Sequence, residues 1–437
     1  MIKEKFTVPN KNAFSSFLPL RTKDKHYKFC WDSLLGYFVH LLYNKSLFTK
    51  NIDEFKGLCR KSFLKNLESD DMALWDVIES MYFHNDELFK ISPELLIFKA
   101  TKDELDTNSK KLGDMYAGIL NGFMLESSSV SNLNFLEKVI KKEFDKFHVS
   151  GKKEEPIESI SYLPFISEYF KKDLQFLNNK PHYLLNNFNS VIRLYGFLYI
   201  SQMAINIKDW AHGEPKSKPC FFILDNEKAS NERTQVKNYG YDQLHGYLEY
   251  LYPYLFMNEV LQDKNKVQPL WKLFEEINDS HIDGLNQFGE EFITDRTGRK
   301  WYNQEQIWQR SEDKNVILSQ LLEVAHAQFD RKKGRLANYS NTAVKGTLRN
   351  ILNPFIQNRR RGGNVLVFNQ DYIVLLTNLA IGEKDKLRFH EVIKEFEARG
   401  VYFDKQSQQN LVDFYERMGS VERMSDSGDA VYVRPTV

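Results

Sequence analysis

Glycine (21) and proline (12) are scarce in a chain of 437 residues, and that shortage limits what it can fold into. Many short strands need many tight turns, and tight turns draw heavily on Gly and Pro. The chain therefore reads as mostly α and multidomain. Its 42% hydrophobic and 27% charged residues give it enough apolar mass to bury a core. That excludes a disordered chain, a collagen and a coiled-coil rod. At ~100–200 residues per domain the length suggests two to four domains. Aromatic residues reach 14%; such rings fill wide helix–helix spaces or sit on contact surfaces.

Phe29, Leu34, Phe38, Leu41 and Leu42 keep roughly helical spacing, and residues 13–125 read as helical. The Ser-rich stretch Ser127–Ser131 and the polar stretch Ser150–Pro156 read as breaks, with Phe135–Phe147 as a helix belonging to either side. Ile157–Trp210 is again helical. Its apolar stretch Val191–Ile205 contains Arg193 and Gln202 and is shorter than the ~20 residues of a membrane span, so it reads as a buried helix. Cys220-Phe-Phe-Ile-Leu224, bounded by Pro219 and Asp225, reads as a buried strand. Tyr241–Leu261 reads as an aromatic helix pair around Pro253, and residues 292–302 as a small hairpin turning at Asp295-Arg-Thr-Gly298. The expected organisation is a helical domain over 1–150, a helical domain with a small strand element over 151–325, and a basic segment with a winged helix over 326–437.

Three cysteines, Cys30, Cys59 and Cys220, stand far apart and form no CxxC pair. With no apolar leader in MIKEKFTVPNKN, they point to a cytoplasmic protein. The chain has no GxxxxGK[ST] loop, no GxGxxG after a strand, no GxSxG and no HExxH. The sequence therefore assigns no catalytic residue, cofactor or metal site, and the chain is expected not to be an enzyme. Asp225-Asn-Glu-Lys228 is the one acid-rich site worth testing, because metal nucleases place acids and a Lys near a strand end to hold Mg²⁺. Glu227 and Lys228 are neighbours, however, and strand neighbours face opposite ways. The plainer reading makes Asp225 a helix N-cap, with Lys228, Ser230 and Arg233 solvated beyond it.

Net charge is only +1, but its distribution is uneven. The thirty-one residues from Arg331 to Arg361 hold Arg331, Lys332, Lys333, Arg335, Lys345, Arg349, Arg359, Arg360 and Arg361 and no acid. Amides and hydroxyls stand among them, including Asn338, Tyr339, Ser340, Asn341, Thr342, Asn350, Asn353 and Asn358. Cations neutralise phosphates and release counterions, and short polar groups bind phosphate oxygens. The segment reads as a non-specific duplex-DNA contact. The competing readings are a solvated basic face and a patch docking on an acidic partner.

Beyond Gly363 the pattern changes. Val365–Phe368 reads as a strand. Tyr372, Leu375, Leu376 and Leu379 keep helical spacing, as do Phe389, Val392, Ile393 and Phe396, and then Leu411, Phe414, Tyr415 and Met418. Gly382, Gly400 and Gly419 sit just past these helices, where a cap favours glycine. Val421–Met424 and Ala430–Val433 read as strands joined by the turn Asp426-Ser-Gly-Asp429. Three short helices followed by a hairpin make a winged helix. Gln408, Gln409 and Asn410 open its third helix, where amides meet base edges. Against that, residues 362–437 carry nine basic and twelve acidic residues, a poor balance for phosphate approach. The winged helix therefore reads as a DNA contact or as a protein-docking module, with the basic segment before it touching DNA.

Gly363-Asn-Val-Leu-Val-Phe-Asn-Gln-Asp371, Phe389–Gly400, Tyr402-Phe-Asp404, Ser425–Asp429, Tyr432-Val433 and Pro435 together resemble the carboxyl-terminal end of the DptG (DndG) proteins, which are encoded beside bacterial DNA phosphorothioation genes. Phe221–Arg233, with Glu227-Lys-Ala-Ser230, is similar to the middle of that family. The resemblance implies a subunit of a restriction system acting on DNA that lacks the phosphorothioate mark. It implies two larger partners, DptF and DptH, carrying the ATPase and helicase-like motifs. No catalytic motif comes with it, so it assigns no active-site residue. The expectation is a non-enzymatic subunit that presents duplex DNA to those partners. The alternatives are a scaffold with no DNA contact and, less favoured, a metal-dependent nuclease subunit centred on Asp225.

Overall fold

The computed structural model describes residues 1–12, 30–44, 52–67, 72–100, 107–128, 130, 132–147, 161–228, 232–263, 267–330, 332–424 and 430–437. The protein is mostly helical, with small sheets. It divides into two compact units. The larger comprises the described residues of Met1–Lys28, Ser159–Tyr169 and Arg193–Thr436, and the smaller those of Phe29–Glu158 and Phe170–Ile192.

The smaller unit holds α1 (Trp31–Tyr43), α2 (Ile52–Leu67), α3 (Met72–Tyr82), α4 (Thr107–Leu120) and α5 (Phe135–Phe147), with 3-10 turns at Asp86–Lys90 and Pro93–Lys99. Helix α1 buries Leu34, Leu35, Phe38, Val39 and Leu42 along one stripe and stops at Asn44, whose φ is +50°. Its Gly36 lies where a Cβ would meet the backbone N of Ala100 at 2.3 Å, so only glycine lets that segment close on the helix. Phe38 packs against Tyr116, Phe170 and Phe188. Phe55 packs against Phe98, Phe144 and Phe147. The expected helix at Phe135–Phe147 is α5, and it belongs to this unit.

Both units draw on α6 (Pro164–Asn178) and α7 (Pro181–Ile205). The stretch 191–205 lies within α7. No described helix is long and apolar enough to cross a membrane.

The larger unit continues with β1 (Phe221–Leu224), α8 (Thr234–Tyr239), α9 (Tyr241–Val260), α10 (Leu270–Glu276), α11 (Asp279–Gly298), α12 (Lys314–Ala327) and α13 (Ala337–Thr347). Then come β2 (Ile356–Asn358), β3 (Asn364–Phe368), α14 (Gln370–Ile381), β4 (Leu387–Arg388), α15 (Phe389–Ala398), β5 (Tyr402–Phe403), α16 (Lys405–Arg417), β6 (Val421–Met424) and β7 (Ala430–Val433). Strands β2, β3, β1 and β5 form one sheet in that order. Within it β1 runs parallel to β3 and to β5, and β2 is antiparallel to β3. A second, antiparallel sheet has the order β4-β7-β6.

Several local expectations are corrected. Residues 292–298 are the end of α11, not the start of a hairpin. Asp295-Arg-Thr-Gly298 has turn composition, but Phe288 and Phe292 lie one helical turn apart, both buried, with ring centroids 5.9 Å apart. Tyr302 instead forms an isolated bridge with Gly334. Helix α9 is one helix with Pro253 inside it, not a pair. A proline forfeits one backbone bond, and burial of Leu248, Leu251 and Leu255 on either side holds the helix together.

Asp225 caps no helix: residues 226–228 are turn and irregular, and the next described helix begins at Thr234. Arg233 is 6% exposed rather than solvated. The connection expected at Val401–Gln406 contains β5, which pairs with β1. The expected boundary at 325/326 falls inside α12, and β1 lies between two strands from beyond it. The expected 150/151 boundary and the Asp426–Asp429 turn lie outside the described residues.

Aromatic packing on β1 holds the larger sheet. Phe222 is fully buried, with Phe197, Phe368 and Phe403 around its ring. Phe222→Ala is expected to lose about 3–5 kcal/mol of stability, read as a lower urea midpoint in the full-length protein.

Candidate nucleic-acid interface

Three successive elements of the larger unit carry the basic segment. The first is the loop after α12. Asp330 Oδ1 accepts the backbone N–H groups of Lys332 and Lys333, each at 2.8 Å. Burial opposes the Asp330 charge, but those two amides outweigh it and hold its carboxyl below the usual carboxylate range. Arg335 donates its backbone N–H to Trp301 O and its Nε to Asn303 Oδ1 at 3.2 Å. The loop is thus fastened to residues 301–303, while Lys332, Lys333 and Arg335 remain exposed.

The second element is α13 with the π-turn that follows it, Leu348–Leu352. It carries Lys345 and Arg349, both exposed. The third is the β2–β3 hairpin, whose tip holds Arg359 and the exposed Arg360. Arg359 serves the fold rather than the surface: it is half-buried, and its Nη2 donates to Asp225 O at 2.6 Å. Arg331 and the Arg361 side chain lie outside the described residues.

Among the described residues, Lys332, Lys333, Arg335, Lys345, Arg349 and Arg360 have no carboxylate within ion-pair distance. Exposed cations elsewhere on the larger unit are mixed: Lys237, Lys300, Lys384 and Lys405 likewise have no carboxylate within ion-pair distance among the described residues, whereas others do. Lys208 pairs with Glu323, Lys272 with Glu275, Arg310 with Asp283 and Glu290, and Arg423 with Glu416. No acid stands between Arg331 and Arg361, so none of the six has a partner within its own stretch.

Helix α16 is different. Gln408 gives its Nε2 to Phe403 O at 2.8 Å, and Gln409 gives its Nε2 to Asp413 Oδ1 at 3.1 Å. Asn410 is half-buried. Two of the three amides expected at base edges are therefore spent within the protein.

A buried polar cluster at the carboxyl ends of β1 and β5 was not legible in the sequence. After β1 the chain turns back, and Glu227 Oε1 accepts from Leu224 N–H at 3.0 Å. Its Oε2 accepts from Arg233 Nη1 and from Ser407 Oγ. Arg233 also grips both oxygens of Asp404, through Nε and Nη2. Asp404 caps α16, accepting from Ser407 N–H at 2.9 Å. Asp404 three residues before Ser407, at the head of an apolar-periodic run, is a readable helix-start signal. Its arginine stands 171 positions away and carries no such signal.

This geometry bears on the acid-rich site. Glu227 is bound to a cation and a hydroxyl, so it does not stand open beside Asp225. Among the described residues, no group of three or more His, Cys, Asp or Glu is placed to hold a metal ion.

Burial works against the Asp404 carboxylate, but Arg233 and the Ser407 amide outweigh it and set its pKa below the usual value. A carboxylate with a depressed folded pKa adds stability above its unfolded value of ~3.9, and that stability disappears as pH falls through the lower folded pKa. Acid unfolding of the wild type should include this contribution, and Asp404→Asn should flatten it, as followed by tryptophan fluorescence in urea across the acid range. Arg233→Met leaves two buried carboxylates uncompensated and should cost about 3–5 kcal/mol in the same measurement. No protein-family model matches the chain, and no curated protein matches it.

Proposed function

We propose that this chain is a non-catalytic, duplex-DNA-binding subunit of a cytoplasmic restriction complex of the DptG type, presenting DNA to ATPase and helicase-like partners resembling DptF and DptH. One observation carries the reading: six exposed cations, Lys332, Lys333, Arg335, Lys345, Arg349 and Arg360, lie in an acid-free stretch, and none has a carboxylate within ion-pair distance among the described residues. Exposed cations not neutralised by a carboxylate at contact distance are available to displace the counterions of a phosphate backbone. The order α14-β4-α15-β5-α16-β6-β7, with sheet order β4-β7-β6 and β5 paired instead with β1, supports reading the carboxyl-terminal part as a winged helix with a strand inserted before its third helix. Its third helix spends Gln408 and Gln409 internally and carries Asp413 and Glu416. That favours α16 as a face for a partner protein, with the basic segment meeting DNA.

A salt titration on short duplexes tests the reading. If all six cations meet phosphates, log affinity should fall with log salt at a slope of about −5. Lys345→Ala with Arg349→Ala should make that slope shallower by about 2 and weaken every sequence alike. Salt-independent binding overturns the proposal. So does the absence of binding at low salt, which would favour the scaffold reading if partner proteins still co-purify.

A further inference from the structure

We propose that the β2–β3 hairpin tip is a minor-groove probe with Arg360 at its head, selecting A·T-rich duplex; this rests on the DNA-binding reading above. The tip is five residues, 359–363, closing strands whose last pair is Asn358 and Asn364. It is held by its own hydrogen bonds. Arg359 N–H donates to Gly363 O at 2.7 Å, Gly362 N–H to Arg359 O at 3.0 Å and Gly363 N–H to Arg360 O at 3.1 Å. The Asn358 side chain accepts from Arg360 N–H at 3.0 Å and donates to Asn364 Oδ1 at 2.8 Å. Arg359 anchors the tip to the strand layer through Asp225 O. The tip is therefore ordered before any ligand arrives, so little ordering remains to oppose binding.

Arg360 has φ +52°, a left-handed conformation that glycine or asparagine adopts more readily. Such a residue persists where its surroundings fix it, and these positions concentrate at binding sites. Gly362 and Gly363 then leave the descending side of the tip without side chains. Arg360 thus stands at the tip with an exposed guanidinium that has no carboxylate within ion-pair distance among the described residues. The minor groove, ~6 Å wide, is too narrow for a helix or a β-ribbon but admits an arginine side chain presented from the tip. In A-tracts it narrows further and its negative potential deepens, which draws in arginine. Arginine suits this better than lysine because its charge is more weakly hydrated.

The test measures full-length protein on an A-tract duplex and an alternating G·C duplex of equal length, by fluorescence anisotropy over a salt series. Wild type should bind the A-tract about fivefold tighter. Arg360→Lys keeps the charge; it should preserve the salt slope and bring the two duplexes within about twofold. Arg360→Gly suits the backbone, so it should fold; it should lose the preference and make the slope shallower by about 1. Equal wild-type affinity for both duplexes with a steep salt slope overturns the minor-groove probe and leaves the DNA-binding reading standing. A preference that survives in Arg360→Lys also overturns the probe. Absence of binding to either duplex overturns the DNA-binding reading itself.

Discussion

Arg233 is the interaction on which the larger unit depends. A buried guanidinium is costly unless its charge and donors are answered. Here Glu227 answers from the turn after β1, Asp404 from the cap of α16, and Ser407 from the first turn of that helix. These groups come from chain segments that nothing local would bring together. Their shared hydrogen bonds fix where α16 starts relative to β1. Since β5 ends one residue before Asp404, they also secure the pairing of a strand only two residues long. Such a strand has too few ladder bonds to hold its own place. The cluster is thus less a source of net stability than a device for specifying register, the best-attested use of buried ionic groups.

That cluster also marks where the sequence stops being legible. The helices α14, α15 and α16 and the strands β1, β3, β6 and β7 were readable because period and capping are local: Leu375, Leu376 and Leu379 announce a buried face, and Gly382, Gly400 and Gly419 take the positive φ expected past a helix end. The parallel pairing of β1 with β3 and β5 was not readable, because it depends on partners more than a hundred positions away. Composition misled in the opposite sense at Asp295-Arg-Thr-Gly298, where turn-forming residue types complete a helix anchored by Phe288 and Phe292. Pro253 misled for the same reason, since burial along α9 outweighs one lost backbone bond.

The basic segment was legible in composition but not in the role of each cation. Nine positive residues looked equivalent along the chain. The fold separates them. Arg359 is drawn inward to a backbone carbonyl, while Lys332, Lys333, Arg335, Lys345, Arg349 and Arg360 remain at the surface. A long aliphatic stem with a rigid fork allows Arg359 to bridge to the end of another strand. Counting charge along a sequence therefore overstates the charge available to a ligand. The three amides of α16 show the same effect, since Gln408 and Gln409 find acceptors within the protein.

The end of β1 connects these observations. Asp225 donates its N–H to Phe368 O and offers its carbonyl to Arg359. Two residues later, Glu227 turns back to cap Leu224 N–H and hold Arg233. One short turn thus anchors both the arginine hairpin and the head of α16. If the hairpin meets DNA and α16 a partner protein, as proposed, both surfaces hang from two residues of one turn, Asp225 and Glu227. A force on either surface is passed to backbone and buried ionic contacts rather than to a flexible linker.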